Sequence, residues 1–254
     1  MNKTGINWTD YTWNPITGCS KISEGCKNCY AETMANRLQK MHQKNYQNGF
    51  KLTTHEDVLI EPLQKKKSIK IFPCSMSDMF HQDVSDLFLR DIFSVMGSAP
   101  QHTFQVLTKR IDRAADFIKQ FYGTADMINC IYANHQNTNP IPIPNIWLGA
   151  TVENQANTKR LEILQNIPAA IRFASVEPML SQITLEQKYN LDWIIIGCES
   201  GHKPRPCYLT WVRELVKQCK EFGIKIWIKQ LDLGRVVEDI NIFPEDLRIR
   251  EFPI

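Results

Sequence analysis

Short runs rich in apolar and β-branched residues recur along the chain. Each ends in polar residues and is followed by a longer stretch whose apolar positions return every three or four residues. The runs are KIFPCSMSD from Lys70, TFQVLTKR from Thr103, NIWLGATVEN from Asn145, IRFASVEPM from Ile171, WIIIGCESG from Trp193 and KIWIKQ from Lys225. The segments VSDLFLRDIFSVMGSA, RIDRAADFIKQFYG, TKRLEILQNI and TWVRELVKQCKEFG carry the helical spacing. Near-continuous apolar strands separated by helices predict an α/β fold with a parallel sheet covered on both faces. Right-handed crossovers leave two architectures open, a doubly wound sheet and a barrel. Tyr11 to Gly18 predicts a further strand and Tyr30 to His42 a further helix, which brings the total to about seven βα units, close to an incomplete TIM-like barrel.

Composition narrows the class. The chain has 254 residues with 43% hydrophobic content, enough for a substantial core. There is no low-complexity block, and the longest charge run is the lysine triplet Lys65 to Lys67, so a single domain over residues 1–254 is expected, with ANHQNTNPIPIP, Ala133 to Pro144, as an inserted surface loop. With 30 Lys and Arg against 27 Asp and Glu, the charge permits a nucleic-acid partner without requiring one; a partner protein is equally left open. No apolar run approaches the length of a membrane span, and the first residues carry no secretory pattern, so a cytoplasmic protein with no membrane partner is expected.

A reducing compartment disfavours a disulfide framework for the eight cysteines. Cys74, Cys130, Cys198, Cys207 and Cys219 are scattered, and those in apolar runs, Cys74 and Cys198, read as small buried hydrophobes. The other three stand together in GCSKISEGCKNCYAE, residues 18–32, as Cys19, Cys26 and Cys29, separated by six residues and then two. Three thiols with no fourth nearby admit three readings. Structural zinc wants four protein ligands, and the nearest later histidine is His42. Idle thiols in a polar, glycine-containing loop would be open to oxidation. An iron–sulfur cluster of four irons, held by three cysteines, keeps one iron open to a small molecule.

Ligands of parallel α/β folds bind at the C-terminal ends of the strands, and here every such end is polar: Ser75, Ser77 and Asp78; Thr108, Lys109 and Arg110; Thr151, Glu153 and Asn154; Ser175 and Glu177; Glu199 and Ser200; Lys229 and Gln230. Three acids, Glu153, Glu177 and Glu199, follow three different strands at equivalent positions, which predicts convergence on a cationic or hydroxyl-rich partner, with Lys109 and Lys229 near. Some of these residues also suit the ordinary role of capping the next helix.

The cysteine run, SMSDMFH at 75–81, FQVLTKR at 104–110, IWLGATVENQ at 146–155, RFASVEPML at 172–180, IIIGCESG at 194–201 and WIKQ at 227–230 together resemble a phage and prophage family. That family is named for phage gene products thirty-seven and sixty-eight and is also called the three-Cys-motif proteins. More distantly the pattern is similar to radical S-adenosylmethionine enzymes, among them spore photoproduct lyase. The resemblance implies a partial (β/α) barrel of six to seven units. It implies a [4Fe-4S] cluster on Cys19, Cys26 and Cys29 in a loop at residues 18–30, with S-adenosylmethionine as the second cofactor. By position, Ser75, Ser77 and Asp78 would face the methionine amino group and Lys109 its carboxylate. Glu153, Glu177 and Glu199 would divide between ribose and substrate. The substrate class suggested by a phage setting is a nucleic acid, with Lys65 to Lys67, Lys203 and Arg205 for phosphates and Trp8, Trp13 or Tyr30 for stacking. Two other classes remain: a zinc-bound nucleic-acid module, and a cluster-free TIM-barrel-type hydrolase or transferase in which Glu177 and Lys229 form an acid–base pair.

Overall fold

The computed structural model describes residues 1–123, 142–186, 189–201 and 203–253. Cys130 and most of the Asn- and Pro-rich segment expected as an inserted loop lie outside the described residues. The chain divides into two compact units. The first comprises Met1–Lys21, Cys29–Leu148 and Ile167–Ala170, the second Ile22–Asn28, Gly149–Asn166 and Ile171–Ile254. The fold is α/β with mostly parallel strands and helices between them, as the hydrophobic pattern predicts.

In the first unit the strands are β1 (Asn2–Lys3), β2 (Tyr11–Trp13), β3 (Ile16–Thr17), β4 (Thr53–Thr54), β5 (Lys70–Pro73), β6 (Thr103–Thr108) and the first half of β7 (Ile146–Thr151). β2, β5 and β6 pair in parallel, and β1 adds to β2 antiparallel. The expected strand Tyr11 to Gly18 is broken in two. Pro15 has no N–H to give a ladder, so β2 stops at Trp13, and β3 pairs antiparallel with β4 in a separate two-stranded sheet. Helices α1 (Tyr30–Lys40), α2 (Asp86–Gly97) and α3 (Ile111–Tyr122) follow the cysteine run, β5 and β6. Ser85 caps α2 by accepting from the Phe88 amide, which satisfies one of the first-turn donors. The core behind β5 and β6 is aromatic: Phe80, Phe93, Phe117 and Phe121 stack at centroid distances of 5.1–6.2 Å. Trp13 is fully buried and Trp8 nearly so, so neither is a stacking surface; Tyr30 is exposed.

In the second unit the second half of β7 precedes β8 (Ile171–Val176), β9 (Trp193–Gly197), β10 (Lys225–Asp232) and β11 (Val236–Val237). β8, β9 and β10 run parallel, and β11 turns back antiparallel on β10. Helices α4 (Lys159–Leu164) and α5 (Leu209–Phe222) lie between strands, and Gly223 ends α5 at φ +72°. Phe173, Trp193, Trp227 and Phe252 pack on one another at 4.7–6.3 Å. All five residues of β9 are buried, which is why its sequence shows no alternation.

Candidate functional site

The cysteine run leaves β3 through Gly18, whose φ of +79° suits a residue without a Cβ; a Cβ there would also stand 2.2 Å from the Lys51 carbonyl oxygen. In the first unit the exit is bonded on both sides. The Gly18 amide donates to Met76 O (3.0 Å), the Ser77 hydroxyl donates to Gly18 O (2.5 Å), and the Cys19 amide donates to Phe50 O (3.2 Å). Ser75 donates to Asn14 Oδ1 (3.2 Å), and its carbonyl accepts from the Tyr30 hydroxyl at the start of α1. Ser75 and Ser77, predicted to face a cofactor, thus both serve the cysteine run and its flanking residues.

Asp78 is buried and its oxygens are filled. Oδ1 accepts from the Phe80 amide (3.1 Å) and the Thr108 hydroxyl (2.7 Å), and Oδ2 from the Lys109 amide (3.0 Å) and Arg110 Nη1 (3.2 Å). Arg110, half-buried, then reaches the run itself: Nη1 donates to Cys19 Sγ (3.4 Å), and Nη2 donates to Ser20 O and Ser20 Oγ (2.9 Å each). His81 Nε2 lies 2.8 Å from the same Ser20 hydroxyl, while its Nδ1 accepts from the Asp83 amide (3.2 Å). Burial, and then the Arg110 charge, push the His81 pKa down, against the pull of Asp83 and Asp78. Burial raises the Cys19 thiol; Arg110 works against that and Asp78 with it.

In the second unit the middle of the run folds into a short 3-10 turn, Glu24–Cys26. Ser23 donates its hydroxyl to Glu153 Oε1, and its Oγ lies 3.6 Å from Cys26 Sγ. Glu153 is fully buried, and its other oxygen accepts from Arg160 Nη1 (2.7 Å) and Asn157 Nδ2 (2.9 Å). Gly25 passes so close that a Cβ would stand 2.5 Å from the Glu153 side chain, a position only glycine fills. Asn28 donates to Glu199 Oε2 (3.0 Å), and Arg205 grips Glu199 through its Nε, its Nη2 and its own amide while its Nη1 donates to Glu24 O (3.0 Å). Burial opposes the charged Glu199 carboxylate, but the Arg205 side chain and amide and Asn28 outweigh it and hold the pKa below the ordinary 4.5.

That lowered value has a sign. A carboxylate whose pKa falls on folding contributes stability above its unfolded pKa and loses it as pH drops through the folded one. Glu199→Gln is therefore expected to lower the urea midpoint at pH 7, and the gap between the two proteins should close as the pH is taken below the ordinary carboxylate range. A gap that is as wide at pH 3 as at pH 7 would contradict it.

Glu177 pairs with Lys229, the residue at which the β9–β10 register shifts. Each of the three strand-end acids thus has its own cation: Arg160 for Glu153, Lys229 for Glu177, Arg205 for Glu199. Arg205, expected to meet phosphates, is committed to Glu199. Lys109 contributes its amide to Asp78, while Arg110 makes the side-chain contact with the cysteine run. Sequence reasoning gave no role to Arg160, Asn28, Ser23 or His81, and it named Arg110 among the strand-end residues but gave the role to Lys109; β6 ends at Thr108, so no strand alternation separates the two.

Cys19 and Cys29 fall in the first unit and Cys26 in the second. All three are half-buried free thiols, whereas Cys74, Cys198, Cys207 and Cys219 are buried. Burial pushes Cys198, Cys207 and Cys219 up to about 12 and Cys74 higher still, which keeps them protonated and unreactive. Among the described residues no group of three or more His, Cys, Asp or Glu side chains is arranged to hold a metal ion, and no helix is long and apolar enough to cross a membrane.

Fold and site together define a mixed α/β protein whose strand-end acids and arginines fasten a three-cysteine loop. Residues 3–239 match the model of the family described as "Protein of unknown function (DUF5131)", and the chain belongs to that family. No curated protein and no solved structure matches it.

Proposed function

We propose that the chain is a cytoplasmic radical S-adenosylmethionine enzyme on a partial (β/α) barrel, with a [4Fe-4S] cluster on Cys19, Cys26 and Cys29. The observation that carries the reading is the contrast among the thiols: the three in the loop are half-buried, the other four described are shut in the core. Three thiolates are a donor set that suits iron–sulfur centres and falls one short of the usual structural zinc site. Ligation requires each thiol to lose its proton. When bound, such a cluster supplies the electron that cleaves a carbon–sulfur bond of S-adenosylmethionine.

The chain's own residues contribute position. Ser77 and Arg110 fix the backbone on either side of Cys19, Glu153 fixes the turn that ends in Cys26, and Glu199 holds Asn28, the residue before Cys29. A loop fixed at these points presents its thiols without the ordering cost of a free segment. Lys65 to Lys67 are exposed and are the residues through which a nucleic-acid substrate would be met by charge.

The test is anaerobic reconstitution with iron and sulfide, followed by iron analysis and electron paramagnetic resonance of the reduced protein with and without S-adenosylmethionine. About four irons per chain and a spectrum altered by the cofactor are expected; one zinc per chain and no cluster would refute the reading. A second reading, general acid–base catalysis that does not use the cysteines, is favoured by the Glu177–Lys229 pair. It expects an activity that survives conversion of all three cysteines to serine.

A further inference from the structure

We infer that a cleft in the first unit, walled by His55, is a binding site for a neutral, hydroxyl-rich small molecule of the size of a sugar. The inference does not rest on the iron–sulfur reading. The cleft has a volume of about 460 Å³ and lies between the turn at 44–48 and the segment 53–57, which includes β4. That volume falls in the range of about 300–1,000 Å³ usual for small-molecule sites. Its wall is firmly held. β4 pairs with β3, the His55 amide donates to Pro15 O (2.8 Å), and His55 Nε2 lies 2.8 Å from the buried Thr17 hydroxyl. That hydroxyl also lies 3.2 Å from Asn45 O and has one proton to give. Whether the proton goes to Asn45 O or to Nε2, the other ring nitrogen, Nδ1, makes no hydrogen bond among the described residues. His55 is 8% exposed, and a ring buried to that extent with one nitrogen unpaired beside a cleft is short of a partner.

The rest of the wall selects the class of ligand. The amides of Asn45 and Gln47 and the Thr54 hydroxyl make no side-chain hydrogen bond among the described residues, so they offer donors and acceptors that the chain itself does not use. No apolar side chain among the described residues lines the cleft, which gives a fatty or aromatic ligand no surface to bury. Lys44 supplies a cation but pairs with Asp57 at 2.6 Å, and Glu56 adds a second carboxylate, so an anion is repelled. Among the described residues no three metal-binding side chains come together there. A hydroxyl donates and accepts at once. It therefore suits the amides, and it suits Nδ1 in either state of that nitrogen.

The experiment is a titration of the isotope-labelled full chain with D-glucose and D-ribose, and separately with spermidine, following the His55 ring nitrogens by nuclear magnetic resonance. A saturable shift of Nδ1 is expected with at least one of the sugars, at millimolar concentrations because no apolar contact adds to the hydrogen bonds. Spermidine, which offers only cationic donors, should leave the signal in place. Asn45→Ala removes a side chain that no described residue bonds, so the fold should persist, and sugar binding should weaken roughly fivefold, as for the loss of one net hydrogen bond. Lys119→Gln, at an exposed position on α3, should bind as wild type. No saturable shift with either sugar, a shift with spermidine in their place, or an Asn45→Ala protein that binds as tightly as wild type overturns the inference.

Discussion

Glu153→Ala is expected to destabilise the protein by about 3–5 kcal/mol, the range seen when one partner of a buried ion pair is removed. Glu153 has no exposed surface and the Arg160 side chain is 9% exposed. Without the carboxylate the guanidinium keeps only its bond to Thr151 O (2.7 Å) and remains a buried charge with no counterion. Asn157 and Ser23 lose their acceptors in the same step. Against a typical total of about 5–15 kcal/mol, the loss should lower the urea midpoint substantially. A Gly25→Ala change provides an internal check. In the wild type the new methyl would collide with Glu153 and should itself destabilise; in the Glu153→Ala background the collision is gone. The two changes should therefore cost less together than the sum of their separate effects. Strict additivity would mean that Gly25 and Glu153 do not meet.

The second large effect concerns metal. Replacing Cys19, Cys26 and Cys29 together by serine should take reconstituted iron from about four per chain to none and abolish the reduced-state resonance signal. A serine hydroxyl keeps its proton at neutral pH and is no substitute for a thiolate donor. Because the three thiols are half-buried, the fold should survive, and the far-ultraviolet circular dichroism should match wild type. Cys219→Ser, at a buried position on α5, should leave the iron count unchanged. Retention of wild-type iron and spectrum by the triple variant would dismiss the three cysteines as ligands.

Much of the architecture could be read directly from the chain. All six apolar runs became strands because buried parallel strands need unbroken apolar sequence, and WIIIG and IRFASV admit little else. The split between β2 and β3 follows from Pro15, which was visible but not weighed as a breaker. β1 and β11 have two residues each, too short for any periodicity to register. At the site, the acids after β7, β8 and β9 stood out because each interrupts an apolar run. Their cations were harder to find. Lys229 was expected at a strand end and paired with Glu177 from the sequence, although β10 runs on past it to Asp232; Arg160 sits on a helix and Arg205 in a loop, where positive charge is the common condition of a surface. Asn28 and Glu199 are 171 positions apart, and nothing local links them.

The depth at which Glu153 meets Arg160 also bears on how the protein responds to its medium. Mobile ions reach charges at the surface, such as Lys21 and Glu32, which are 50% and 36% exposed, and weaken their interactions, most of all beyond a Debye length of about 8 Å at physiological ionic strength. They do not enter a pair closed to solvent. The turn that carries Cys26 hangs by Ser23 on a carboxylate whose ion pair salt screens only weakly, and its shape should change little between dilute buffer and concentrated electrolyte.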